Sequence, residues 1–170
     1  MNWEAIGAIG EILGAIAVVV SLLYLAIQIR QNSRIVKGSS VQSITQTIQS
    51  ELRWSGDYGE LMLKVVDAPE SLTRLEAFKL GEWMTAAMLA RQNEYTQFEQ
   101  GLIDVQIWHG CLGILKNILS VPWCRDWWNS FDKGVFIPPF IELVNSLADQ
   151  EHPFDYQTYL KNINRDRGGA

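Results

Sequence analysis

Between Ile12 and Ile29 no side chain is charged, and only Gly14, Ser21 and Gln28 break an otherwise apolar run. A bilayer core of roughly 30 Å needs about 20 residues at about 1.5 Å each. The run reaches that length with Gly10 and Glu11 at one edge. Trp3 then falls at one headgroup zone and Arg30 with Arg34 at the other, where amphipathic rings and basic side chains anchor a helix. Past this stretch the apolar positions recur at steps of three and four and never settle into strand alternation, so the chain reads as all-α.

The expected order is a transmembrane anchor over 1–32, an amphipathic stalk helix over 33–56, a small cytoplasmic helical bundle over 57–148 and a tail over 149–170. In the stalk, Val41, Ile44, Ile48 and Leu52 form one stripe among Ser, Thr and Gln, facing a partner helix. Gly38, Ser39 and Ser40 are a place for it to bend, since glycine inside a helix costs about 1 kcal/mol relative to alanine. Trp54 to Gly59 reads as a turn, with Asp57 and Glu60 starting a short helix that Pro69 closes. Thr73 and Glu76 make a capping box for a long helix to about Gln100, central because Leu75, Phe78, Trp83, Ala86, Ala87, Leu89, Ala90 and Phe98 cover more than one face.

Gly101 ends that helix, and residues 102–120 form the next, with Asp104 favourable in its first turn. Pro122 suits the first turn of a helix over "PWCRDWWNSF". Gly134, Pro138 and Pro139 mark a loop before a last amphipathic helix bearing Phe140, Leu143, Val144 and Leu147. The tail from Asp149 carries the aromatics of "FDYQTYL" and then "NRDRGGA", which is expected to fray.

Charge sets the orientation. Glu4 and Glu11 precede the apolar run, whereas Arg30, Arg34 and Lys37 follow it and no acid recurs until Glu51. A signal peptide has the opposite arrangement, a basic start and a small-residue cleavage site. The positive-inside bias therefore expects the N-terminus outside and the C-terminal domain in the cytoplasm. Three of the fourteen basic residues and two of the nineteen acidic ones lie before residue 38, leaving eleven against seventeen after it. That acidic balance opposes phosphate, so no nucleic-acid partner is expected. Cys111 and Cys124 lack a CxxC spacing and fit a reducing compartment as small apolar residues.

The span is rich in small residues on one side. Gly7, Gly10, Gly14, Ala17 and Ser21 recur at alternating steps of three and four, which puts all five on one seam, with Gly10 and Gly14 as a small-xxx-small pair. Lipid gives helices no hydrophobic reason to pair, so close backbone approach across small side chains supplies the contact. The expected partners are therefore the bilayer and either further copies of the chain or a membrane-protein complex. Glu4 and Glu11, seven apart, lie beside the seam, and in a ring of copies they would form acidic rings at the outer mouth of a narrow pore.

Catalytic chemistry finds little support. His109 and Cys111 are two residues apart on a helix and point about 200° away from each other, and His152 lies in the tail. Glu76, Glu82, Glu94, Glu99 and Asp104 carry no Glu-x-x-His pattern and read as a solvated face with pairs such as Arg91–Glu94. Neither a nucleophile elbow nor a phosphate-cradling glycine loop is present. No enzyme activity, cofactor or metal is expected. Trp123, Trp127 and Trp128 cluster beside Pro122, Cys124 and Phe131, as core rings, as an interfacial helix or as an aromatic pocket for an apolar ligand; core is preferred because Asp126 cancels Arg125.

The N-terminal stretch over residues 3–34, the "PESLTRLE" helix start, the Leu102, Asp104 and Trp108 segment and "VPWCRDWW" with Phe131 together resemble a group of small, uncharacterised bacterial proteins. These have one N-terminal transmembrane helix and a helical cytoplasmic domain, which implies a bacterial inner-membrane location. The resemblance brings no functional residues. The expected function is a membrane-anchored structural or interaction module assembling through its transmembrane helix. The alternatives are an accessory subunit of a larger membrane complex and a small oligomeric cation channel.

Overall fold

The structure, a computed structural model, describes residues 2–150 and 155–165, apart from the side chains of Ala5, Ile6, Asn164 and Arg165. Seven α-helices are present among the described residues, with no strand: α1 (Trp3–Asp57), α2 (Gly59–Asp67), α3 (Arg74–Glu99), α4 (Val105–Ser120), α5 (Pro122–Ser130), α6 (Pro138–Ala148) and α7 (Tyr156–Arg165). The chain divides into two compact units, Met1–Ser40 and Val41–Ala170.

The first unit is helical throughout its described length after Asn2, and Gly38, Ser39 and Ser40 continue the helix where a bend was expected. Its most apolar 18 residues have a mean hydropathy of 2.5, and none is buried. The two polar interruptions of the run are satisfied locally. Ser21 Oγ donates to the Ala17 carbonyl at 2.9 Å, and Gln28 Nε2 donates to Tyr24 Oη at 2.6 Å. Both bonds span four residues, so the helix itself satisfies the Ser21 hydroxyl donor and one of the Gln28 amide donors.

In the second unit the last part of α1 packs into the core along the stripe expected to face a partner helix. Ile44 is buried with Ile103, Trp108 and Cys111, and Val41 and Ile48 pack against them; Leu52 is 68% exposed. Trp54 to Gly59 is less of a turn than expected: α1 runs to Asp57, and α2 starts after Tyr58 with no side-chain cap, so Asp57 does not open it.

Local chemistry explains the remaining boundaries. Thr73 Oγ1 accepts from the Glu76 N–H while the Glu76 carboxylate accepts from the Thr73 N–H at 2.7 Å, a complete capping box. Lys64 of α2 donates to that same carboxylate at 2.8 Å, tying α2 to the start of α3. At the other end, Gly101 takes φ +67° and donates to the Phe98 carbonyl, and Leu102 donates to Gln97, the Schellman pattern that favours glycine. Asp104 is the N-cap of α4, one position before the helix, with its carboxylate accepting from the Gln106 and Ile107 N–H groups at 2.9 Å. α5 begins at Pro122, as its missing N–H favours. Pro138 and Pro139, expected in a loop, form the first turn of α6 for the same reason.

The larger core gathers Leu80, Met84 and Met88 of α3, Leu115 and Leu119 of α4, Trp128 of α5 and Phe140 and Val144 of α6. In the tail, α7 is a helix whose Gln157 side chain donates to the Val66 carbonyl at 3.3 Å, and the segment expected to fray lies outside the described residues from 166 onward. His152 lies outside the described residues.

Candidate functional site

The seam residues lie on the fully exposed surface of the first unit, where a Cβ added to Gly7, Gly10 or Gly14 would meet nothing within 4 Å. Glu4 and Glu11 are also exposed. This surface is apolar all round, with Ile9, Ile12, Leu13, Ile16 and Val20 each more than half exposed.

The tryptophan cluster of α5 divides between core and edge. Trp128 is fully buried, donates from Nε1 to Asn145 Oδ1 at 2.9 Å, and packs on Phe136 and Phe140. Trp123 and Trp127 are half-buried against the same core. Trp127 stacks on Phe131 at 4.5 Å and lies against Gly81 of α3, where an added Cβ would come within 3.4 Å of its indole nitrogen.

Arg91 and Glu94 do not belong to a solvated face. Each is 1% exposed, on the same stripe of α3 as Met84, Ala87 and Met88. Arg91 Nη2 donates to both oxygens of Glu51, at 3.1 and 3.3 Å, from the part of α1 within the second unit. It also lies 2.8 Å from Glu94 Oε1, a charge contact with no hydrogen-bond alignment. Arg91 Nε and Nη1 are buried without hydrogen-bond partners among the described residues. One guanidinium thus faces two carboxylates. Burial raises the pKa of Glu51 and of Glu94, with Arg91 opposing the shift in both. The Cys111 thiol on α4 lies against Glu94, and desolvation first, then the Glu94 charge, pushes it up to about 12. His109 is exposed on α4, whereas Cys111 is buried.

Beside this cluster the helices leave a cavity of about 380 Å³. Leu52, Val65, Leu80, Trp83, Ile118 and Trp123 bring one wall residue from each of α1 to α5, with two from α3. Cys124 and Tyr156 also border it, and burial pushes the Cys124 thiol up to about 12. The polar side chains on its border are Glu51, Ser55, Asn117 and Tyr156, together with the indole N–H groups of Trp83 and Trp123. The cavity opens to solvent where Leu52 and Asn117 are exposed, so its apolar wall is in contact with water unless a guest covers it. An apolar wall offers water too few partners to fill the space well. The cavity therefore suits an apolar guest.

The sequence pattern pointed to the small-residue seam and to the α5 aromatics, of which Trp123 lines the cavity, but not to its other walls or to the buried Arg91. One signal was available: Arg91 and Glu94 follow Met84, Ala87 and Met88 at helical steps of three and four, the spacing of a buried stripe. Compared with family models, with curated proteins and with solved structures, the chain matches none of them.

Proposed function

We propose that this protein is a membrane-anchored interaction module whose N-terminal helix crosses a bacterial inner membrane once and assembles through the seam of Gly7, Gly10, Gly14, Ala17 and Ser21. One observation carries the reading: an 18-residue stretch of mean hydropathy 2.5 with none of it buried. The core helix of a water-soluble domain would cover such a surface against its own fold, and a bare apolar helix in water invites aggregation. Internal hydrogen bonding of Ser21 and Gln28 removes the chief polar obstacles to lipid. The charge reversal from Glu4 and Glu11 to Arg30, Arg34 and Lys37 supports an outside N-terminus and a cytoplasmic helical domain.

Assembly through the seam rests on the open space around its glycines, where a neighbouring backbone meets no side chain. Gly14→Leu is expected to reduce the assembled size in detergent, read by crosslinking or mass photometry. Val19→Leu, about 140° round the helix, leaves the size unchanged, because lipid accepts either side chain. Equal sizes for Gly14→Leu and the wild type refute the seam, and an oligomer that survives removal of residues 1–37 moves the interface to the second unit.

A further inference from the structure

We infer that the cavity bordered by α1 to α5 and by Tyr156 of α7 in the second unit is a binding site for a single-chain, uncharged amphiphile of about ten carbons, with a hydroxyl end beside Glu51 and its chain between Val65, Leu80, Ile118 and Trp123. The volume sets the size. About 380 Å³ holds on the order of a dozen non-hydrogen atoms, taking roughly 30 Å³ for each as for a water molecule in the liquid. The wall sets the chemistry: aliphatic side chains and two indole rings solvate a hydrocarbon chain and offer a sugar or nucleotide almost no hydrogen bonds.

The border sets the head group. Glu51 and Ser55 are one turn apart on α1 and therefore share a side, and Asn117 faces the same space from α4. Each Glu51 oxygen accepts from Arg91 Nη2 and keeps further lone-pair capacity for a hydroxyl donor. No lysine, arginine or histidine borders the cavity among the described residues, and the charge nearest to it is the Glu51 carboxylate. An anionic head, such as that of a fatty acid, meets the Glu51 carboxylate, whose cation Arg91 already faces both Glu51 and Glu94, and is disfavoured. A cationic head finds a carboxylate already shared with Arg91. The hydroxyl of an alcohol or a monoacylglycerol matches the border without either penalty. This inference rests on residues 41–165 alone and holds whether or not the first unit spans a membrane.

The test uses the full-length protein in nanodiscs, photolabelled with a diazirine-bearing decanol, with adducts mapped by peptide mass spectrometry. Saturable labelling is expected on the peptides carrying Val65, Ile118 and Trp123, competed at least tenfold better by decanol than by decanoate at pH 7.5. Ile118→Trp fills the space and lowers that labelling at least tenfold, whereas Leu63→Trp, on the exposed side of α2 and away from the wall, leaves it intact. Wild-type competition decides the matter alone if Ile118→Trp does not fold. Labelling confined to residues 1–40, or unaffected by decanol, overturns the site. Equal competition by decanoate overturns the uncharged head group.

Discussion

Replacing Arg91 by methionine removes the positive charge that contacts both Glu94 and Glu51, the only one to do so among the described residues, while keeping most of the side-chain volume. Arg91 and Glu94 are each 1% exposed, whereas the Glu51 side chain is 19% exposed and can reach water. Breaking a buried pair costs roughly 3–5 kcal/mol, because the remaining charge is left desolvated. The partial exposure of Glu51 favours the lower end, about 3 kcal/mol. For a unit of this size each kcal/mol moves the melting midpoint by roughly 3–5 °C, so Arg91→Met should melt about 10–15 °C below wild type. Tryptophan fluorescence follows the right unit, since six of the seven tryptophans lie beyond residue 40. Glu94→Gln, which removes a carboxylate but leaves the Arg91–Glu51 pair, should stay within about 1 kcal/mol of wild type.

The same pair of variants has a defined pH signature. Glu51 and Glu94 have folded-state pKa values above the unfolded 4.5. Their stability contribution is therefore fully present below pH 4.5 and is lost as pH rises through the raised folded values. Losing Arg91 removes the influence that lowers both, so the deficit of Arg91→Met should be smaller at pH 5 than at pH 8. A midpoint within 3 °C of wild type at pH 8, or a larger deficit at pH 5 than at pH 8, would refute the buried-cluster account.

Cys111 and Cys124, both pushed up to about 12, should resist iodoacetamide at pH 8 in the folded protein and react fully on denaturation; rapid native-state alkylation of either would contradict their burial. Thr73→Ala, which removes one half of the capping box, should lower stability by about 1 kcal/mol in thermal melts, and no loss would show that the cap is dispensable. Glu76, lowered to about 2 chiefly by the Lys64 hydrogen bond, should keep its link to Lys64 above pH 4.5 and lose it as pH falls through 2. In Lys64→Met the Glu76 carboxyl should titrate closer to 4.5 by NMR; an unchanged midpoint would contradict this.

Legibility followed the range of the interaction. The capping box at Thr73, the glycine at 101 and Pro122 at a helix start are contacts within a few residues, so spacing alone exposes them. Arg91 was misread because its partner Glu51 lies 40 residues away, and an isolated i, i+3 ion pair looks the same on a solvated face as in a core. Leu75 and Phe78, expected in a central helix, are 62% and 64% exposed, while the buried stripe passes through Leu80, Met84 and Met88. The stalk stripe at Val41, Ile44 and Ile48 was correctly apolar, but its partners Ile103, Trp108 and Cys111 come from a distant segment. The cavity is the extreme case, since its lining combines six helices and no window of sequence contains it.

Single passage through the membrane with the helical domain inside is tested most directly by protease accessibility in intact bacterial spheroplasts expressing the full chain. One tag precedes Asn2 and another follows Ala170. The account predicts that external protease removes the N-terminal tag and leaves the C-terminal tag intact until the membrane is permeabilised. Digestion of the C-terminal tag in intact spheroplasts contradicts the orientation, and recovery of the protein in the soluble fraction without detergent contradicts the membrane anchor itself.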